Sequence, residues 1–135
     1  MKLLFDLLKK FGVSGDEQDT ANFILEYIDK RQRFWNVQPK VFFGEEFHDC
    51  ILLKFGTPRT ALFAHMDTIG FMVRYENQLI PVGGPEFISD TEMVGEDSLG
   101  KIHCKLIGDE DTSLHDFPRA IERGTRLAFS QNVRI

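Results

Sequence analysis

The chain has 135 residues, 42% of them apolar and 27% charged, with thirteen Phe and a formal net charge of −5. That is enough for one domain with a modest core or for pieces of two, and it excludes a disordered chain. The sixteen Lys and Arg are scattered and form no basic stripe to neutralise phosphates, so nucleic acid is not an expected partner.

No uninterrupted apolar run exceeds four residues, and Asp6 follows Met1 too closely for a secretory apolar region. Both observations point away from a membrane and towards a cytoplasmic location. Cys50 and Cys104 lie far apart inside apolar stretches. They read as buried free thiols of a reducing compartment rather than as a disulfide framework.

In residues 2–10, Leu3, Leu4, Leu7 and Leu8 recur at helical spacing, with Lys9 and Lys10 near the C-terminal end and Gly12 as the stop. Ser14-Gly15-Asp16-Glu17 follows, and a Ser with Glu three residues on predicts a capping box. The helix it opens is expected to reach about Arg31, with Phe23, Ile24, Tyr27 and Ile28 as its buried stripe.

From Trp35 the period changes, and Val37 to Phe43, Cys50 to Phe55 and Thr60 to His65 predict strands. The link Gly56-Thr57-Pro58-Arg59 is too short for a crossover, which predicts an antiparallel hairpin between the last two. Both are apolar nearly throughout, a pattern that implies cover on both faces.

After Gly70 come shorter strands at Phe71 to Tyr75, Gln78 to Val82, Lys101 to Ile107 and Arg126 to Phe129. Turn signals separate them at Gly83-Gly84-Pro85, Ser98-Leu99-Gly100 and Glu122-Arg123-Gly124. Lys101 to Leu106 alternates polar and apolar residues, which sends Ile102, Cys104 and Leu106 inward with Leu127 and Phe129, and His103 outward. Phe117 to Arg123 has room for a short turn of helix, and His115-Asp116 falls in a loop before Pro118. A boundary near residue 69 therefore divides an α/β part from a small β-barrel-like or sandwich-like part.

Candidate chemistry centres on Thr60-Ala61-Leu62-Phe63-Ala64-His65-Met66-Asp67-Thr68-Ile69-Gly70-Phe71-Met72-Val73. A His closes an apolar strand and an Asp follows two residues later, at the strand end where open α/β sheets place their ligands. Imidazole is a good ligand for zinc, cobalt and similar ions, and binds best when a carboxylate orients it. The plainer reading makes His65 a core histidine and Asp67 a turn residue, and one His with one Asp falls short of the three or four ligands an ion needs. His48-Asp49 reads as a surface pair between strands, and His48, His103 and His115 have no spacing that suggests a shared metal. Glu45-Glu46 beside Gly44 reads as a solvated acidic turn.

The block from Ala61 to Val73, with Gly83-Gly84 at the end of the next strand, resembles the glutamyl aminopeptidase and deblocking aminopeptidase family of dinuclear metallopeptidases. Ser14-Gly15-Asp16-Glu17 is similar to the family's Ser-Gly-x-Glu, and Ile121-Glu122-Arg123-Gly124-Thr125 resembles the segment that closes its inserted domain. The resemblance implies an α/β fold, with residues 1–69 opening a zinc-aminopeptidase-like mixed-sheet catalytic domain and residues 70–135 forming a small inserted β-barrel-like domain. It implies His65 as a metal ligand and Asp67 as the catalytic acid that orients the site. It also implies hydrolysis of an N-terminal peptide bond, by two divalent ions (zinc, cobalt or manganese) that activate a bridging water while a Glu moves the proton. The family's bridging Asp, Glu pair and last His have no match up to Ile135, so the chain is expected to be an N-terminal fragment, inactive alone and at most a weak metal binder. Peptide substrates and further copies of the chain are the expected partners, with no nucleic acid and no membrane. The alternative is a non-enzymatic binding or assembly module that keeps the β domain.

Overall fold

A computed structural model describes residues 2–130. Residues 131–135, the end of the expected β domain, lie outside the described residues. The chain separates into two units, one formed by residues 2–11 and 17–66, the other by 12–16 and 67–130.

The first unit holds helices α1 (Lys2–Leu8) and α2 (Gln18–Arg31) and an antiparallel pair, β1 (Lys40–Gly44) and β2 (His48–Lys54). The stripe expected of α2 takes shape unevenly, with Ile28 and the smaller Thr20 and Ala21 buried and Phe23, Ile24 and Tyr27 half-buried. The helix begins later than the capping box predicts. Glu17 is its N-cap and makes no side-chain capping bond.

The expected hairpin does not form. β2 pairs backwards with β1, placing Phe42 opposite Leu52 and Val41 opposite Leu53, and Thr60 to His65 lies outside any strand. β2 alternates exposed and half-buried residues, so the expectation of cover on both faces also fails. Leu62 and Phe63 are each 94% exposed. The physical reason is the same throughout: an all-apolar strand needs a layer on each face, and among the described residues no element supplies it. Cys50, expected to be buried, stands on the uncovered side of β2 and is exposed.

The second unit is a six-stranded antiparallel sheet of β3 (Gly70–Val73), β4 (Leu79–Val82), β5 (Glu92–Asp97), β6 (Gly100–Gly108), β7 (Ser113–His115) and β8 (Arg126–Phe129). Its order is β4-β3-β8-β5-β6-β7. The two outer strands approach one another through a bridge between Gln78 and Leu114 and through the His115 N–H donating to the Asn77 carbonyl at 2.9 Å. The sheet is thereby nearly closed into a barrel, which leaves little open edge.

Inside lie Phe71, Val73, Leu79, Met93, Ile102, Cys104, Leu106, Ile121 and Leu127, with Phe87, Phe117 and Phe129 packed against them. β6 sends Ile102, Cys104 and Leu106 inward and leaves Lys101, His103 and Lys105 outside, as its alternation requires. Burial, helped by the Asp116 carboxylate, pushes the Cys104 thiol up to about 12, so this cysteine stays a thiol. β5 and β7 carry no clear strand signal and went unpredicted, and residues 117–123 form no helix. That segment is instead tied to the β5–β6 turn. Arg119 grips the Asp97 carboxylate through both terminal nitrogens at 2.6 and 2.7 Å, and Ser98 bonds Glu122. Among the described residues no helix is long and apolar enough to cross a membrane.

Candidate functional site

The segment Gly12–Asp16 leaves the helical part of the chain and lies beside residues 67–68. Val13 forms a parallel bridge with Thr68. The Thr68 N–H donates to the Gly12 carbonyl at 2.6 Å, the Ser14 N–H donates to the Thr68 carbonyl at 3.2 Å, and the Thr68 hydroxyl adds a bond to Gly12 at 3.1 Å. Val13 is fully buried, and it explains the glycine after Ile69. A Cβ at Gly70 would come within 2.5 Å of the Leu127 carbonyl oxygen and 2.9 Å of a Val13 methyl.

This pairing carries Ser14 to Asp67. The Ser14 hydroxyl donates to Asp67 Oδ2 at 2.6 Å, across 53 residues of sequence. On the other side of the turn, Arg126 Nε donates to the Ser14 carbonyl at 3.1 Å and its Nη1 donates to the Gly124 carbonyl at 2.9 Å. Gly15 adopts φ +85°, and a Cβ there would meet Arg126 Nη2 at 2.9 Å. The Ser-Gly dipeptide is thus a turn that β8 supports, not a helix cap. Sequence reasoning singled out Ser14 but assigned it the wrong partner, and it missed Arg126. The one available signal was the glycine directly after the serine, which favours a turn over a helix start.

His65 is exposed and belongs to the first unit, whereas Asp67 is half-buried and belongs to the second. Among the described residues no three His, Cys, Asp or Glu side chains gather to hold an ion. One imidazole and one carboxylate fall short of the three or four ligands that hold an ion. His48 opens β2 and is exposed, Glu45 and Glu46 lie exposed in a single 3-10 turn, and His103 faces outward. The groove between α2 and the β1–β2 hairpin, lined by Ala21, Leu25, Phe43, His48 and Ile51, contains neither motif residue.

His115 differs most from expectation. Instead of standing in a loop it ends β7 and is only 2% exposed. Its Nδ1 accepts the Phe117 N–H at 3.2 Å, which places the proton of the neutral ring on Nε2, and among the described residues Nε2 has no partner in good hydrogen-bond geometry. Burial lowers its pKa, against the smaller pull of the Glu76 backbone and the Asp116 carboxylate.

No protein-family model matches the sequence.

Proposed function

We propose that this chain carries the first metal-ligand segment and the inserted β domain of a metal-dependent aminopeptidase. His65 is the ligand, Asp67 is the acid that orients it, and the substrate class is peptides with a free N-terminus. The observation that carries the reading is the 2.6 Å bond from Ser14 to Asp67. It joins Ser14 of the Ser14-Gly15-Asp16-Glu17 turn to Asp67 of the Ala61 to Val73 block, two of the segments that carry the resemblance to the glutamyl and deblocking aminopeptidases. In this reading the α/β catalytic fold requires further strands and helices, in keeping with the uncovered Leu62 and Phe63. The 135-residue chain alone hydrolyses nothing, because a catalytic ion needs about three protein ligands and His65 is one.

The test is made in a longer, metal-holding form. His65→Ala should remove one metal equivalent and abolish peptidase activity, while Asp67→Asn should weaken the site on the order of 10–100-fold. An unchanged metal count in His65→Ala would sink the assignment. A second reading, an assembly module without catalysis, draws on the barrel's having a core of its own. Aminoacyl chromogenic substrates with zinc, cobalt or manganese separate the two, since only the first reading expects turnover from the longer form.

A further inference from the structure

Among the described residues, the join that closes the barrel is lightly bonded. β7 is three residues long, and it meets the β3–β4 turn through the Gln78–Leu114 bridge and the His115 N–H at the Asn77 carbonyl. β5, by contrast, pairs with β6 over six positions and with β8 over three. His115 stands at the light join with its ring inside. It lies opposite the buried Leu106 and is itself 2% exposed. Nδ1 accepts the Phe117 N–H, while the Nε2 proton is buried without a partner in good geometry.

The charge that bears on the ring is the Asp116 carboxylate, which accepts the Lys105 N–H of β6 at 2.6 Å. The β3–β4 turn offers the backbone of Glu76, and β6 places beside it Leu106 and the Cys104 thiol, which is uncharged. Burial outweighs these attractions and lowers the pKa of His115 from 6.5. A proton taken up at Nδ1 sets donor against donor at Phe117 and leaves an imidazolium among apolar side chains. Parting β7 from the β3–β4 turn lets the ring reach water at the loss of the fewest ladder bonds. The movement is checked at Arg119, whose guanidinium grips Asp97 on the β5–β6 turn.

We propose that His115 is a pH-sensitive latch of the barrel, and that its protonation opens the join between β7 and the β3–β4 turn and frees Phe117 while the other strands stay paired.

The experiment is hydrogen exchange of the 135-residue chain, followed by NMR from about pH 7.5 to about 5 with and without sub-denaturing urea, beside a titration of the His115 ring by its carbon shifts. The latch is closed above 6.5 and one proton drives its opening. Protection of the His115 and Phe117 amides, corrected for intrinsic exchange, should therefore fall about tenfold per pH unit below that value. A local opening exposes little surface and should respond little to urea. The Val73 amide, bonded to the Thr125 carbonyl, should stay better protected at every pH and respond to urea fully. His115→Asn, whose Oδ1 can accept the Phe117 N–H but takes no proton, should remove the pH dependence. Exchange of the His115 and Phe117 amides with the urea dependence of Val73 would make the opening global and overturn the proposal. So would an undiminished pH dependence in a folded His115→Asn chain. If that variant does not fold, the native chain decides alone, because protection that survives a charged ring in the folded barrel overturns the latch. None of these readings involves His65 or a metal.

Discussion

At the scale of single residues, the buried groups of the barrel carry the pH dependence. His115 is neutral in the fold, and burial lowers its pKa from an ordinary 6.5. In the interval below 6.5 the unfolded chain therefore binds more protons than the folded one, and stability rises with pH. The contribution is complete above pH 6.5 and is lost as pH falls through the lowered folded value. Protonation also turns Nδ1 into a donor, which deprives the Phe117 N–H of its acceptor. Urea midpoints should accordingly fall between pH 7.5 and 5 in the native chain and fall much less in His115→Leu; equal slopes would contradict the argument. Asp97 titrates in a different window. The Arg119 guanidinium, more than any other group, holds it at about 2 instead of 3.8, so its contribution is present above 3.8 and disappears only as pH falls through 2.

At the scale of elements, β6 was the strand most legible in the sequence, and its register can be tested. Ile102, Leu106 and the facing Leu127 of β8 are buried, and each change to Ala should cost roughly 2–5 kcal/mol through lost transfer energy and the cavity left behind. His103→Ala should be nearly silent, since this side chain is exposed and its nearest carboxylate, Glu92, is 3.7 Å away at the surface. Chemical denaturation compares them, and His103→Ala emerging as the most damaging would put the register off by one. β8 was also legible, because the apolar run Leu127-Ala128-Phe129 follows the Glu122-Arg123-Gly124 turn. β5 was not. Its Glu92, Glu96 and Asp97 and its central Gly95 speak against a strand, and it exists because β6 and β8 supply partners on both sides. A Cβ at Gly95 would come within 2.6 Å of the Arg126 carbonyl oxygen, so the residue that weakens the signal is the one close packing demands.

At the scale of the whole molecule, the two units differ in how well they cover their own apolar surface. The barrel encloses its core, whereas the first unit leaves Phe43, Leu52, Phe55, Leu62 and Phe63 exposed. Patches of that kind drive association. Sedimentation should show concentration-dependent self-association of the chain, reduced in a Leu62→Ser, Phe63→Ser double variant; a native chain that stays monomeric throughout would contradict this. The sequence by itself determined the features that follow from local period and turn chemistry: the helical character of α2, the strands at β3, β4, β6 and β8, the tight turn at Ser98-Leu99, the direction of His103, and the His65-Met66-Asp67 motif. Only the tertiary structure decided that the β sheet nearly closes on itself, that His115 is buried at the seam, that Val13 and Ser14 join the β unit, and that Thr60 to His65 finds no partner strand among the described residues. Each of these depends on residues brought together across tens of positions. Such pairings are selected by the net burial and hydrogen bonding of the assembled unit, and no local window of sequence contains that sum.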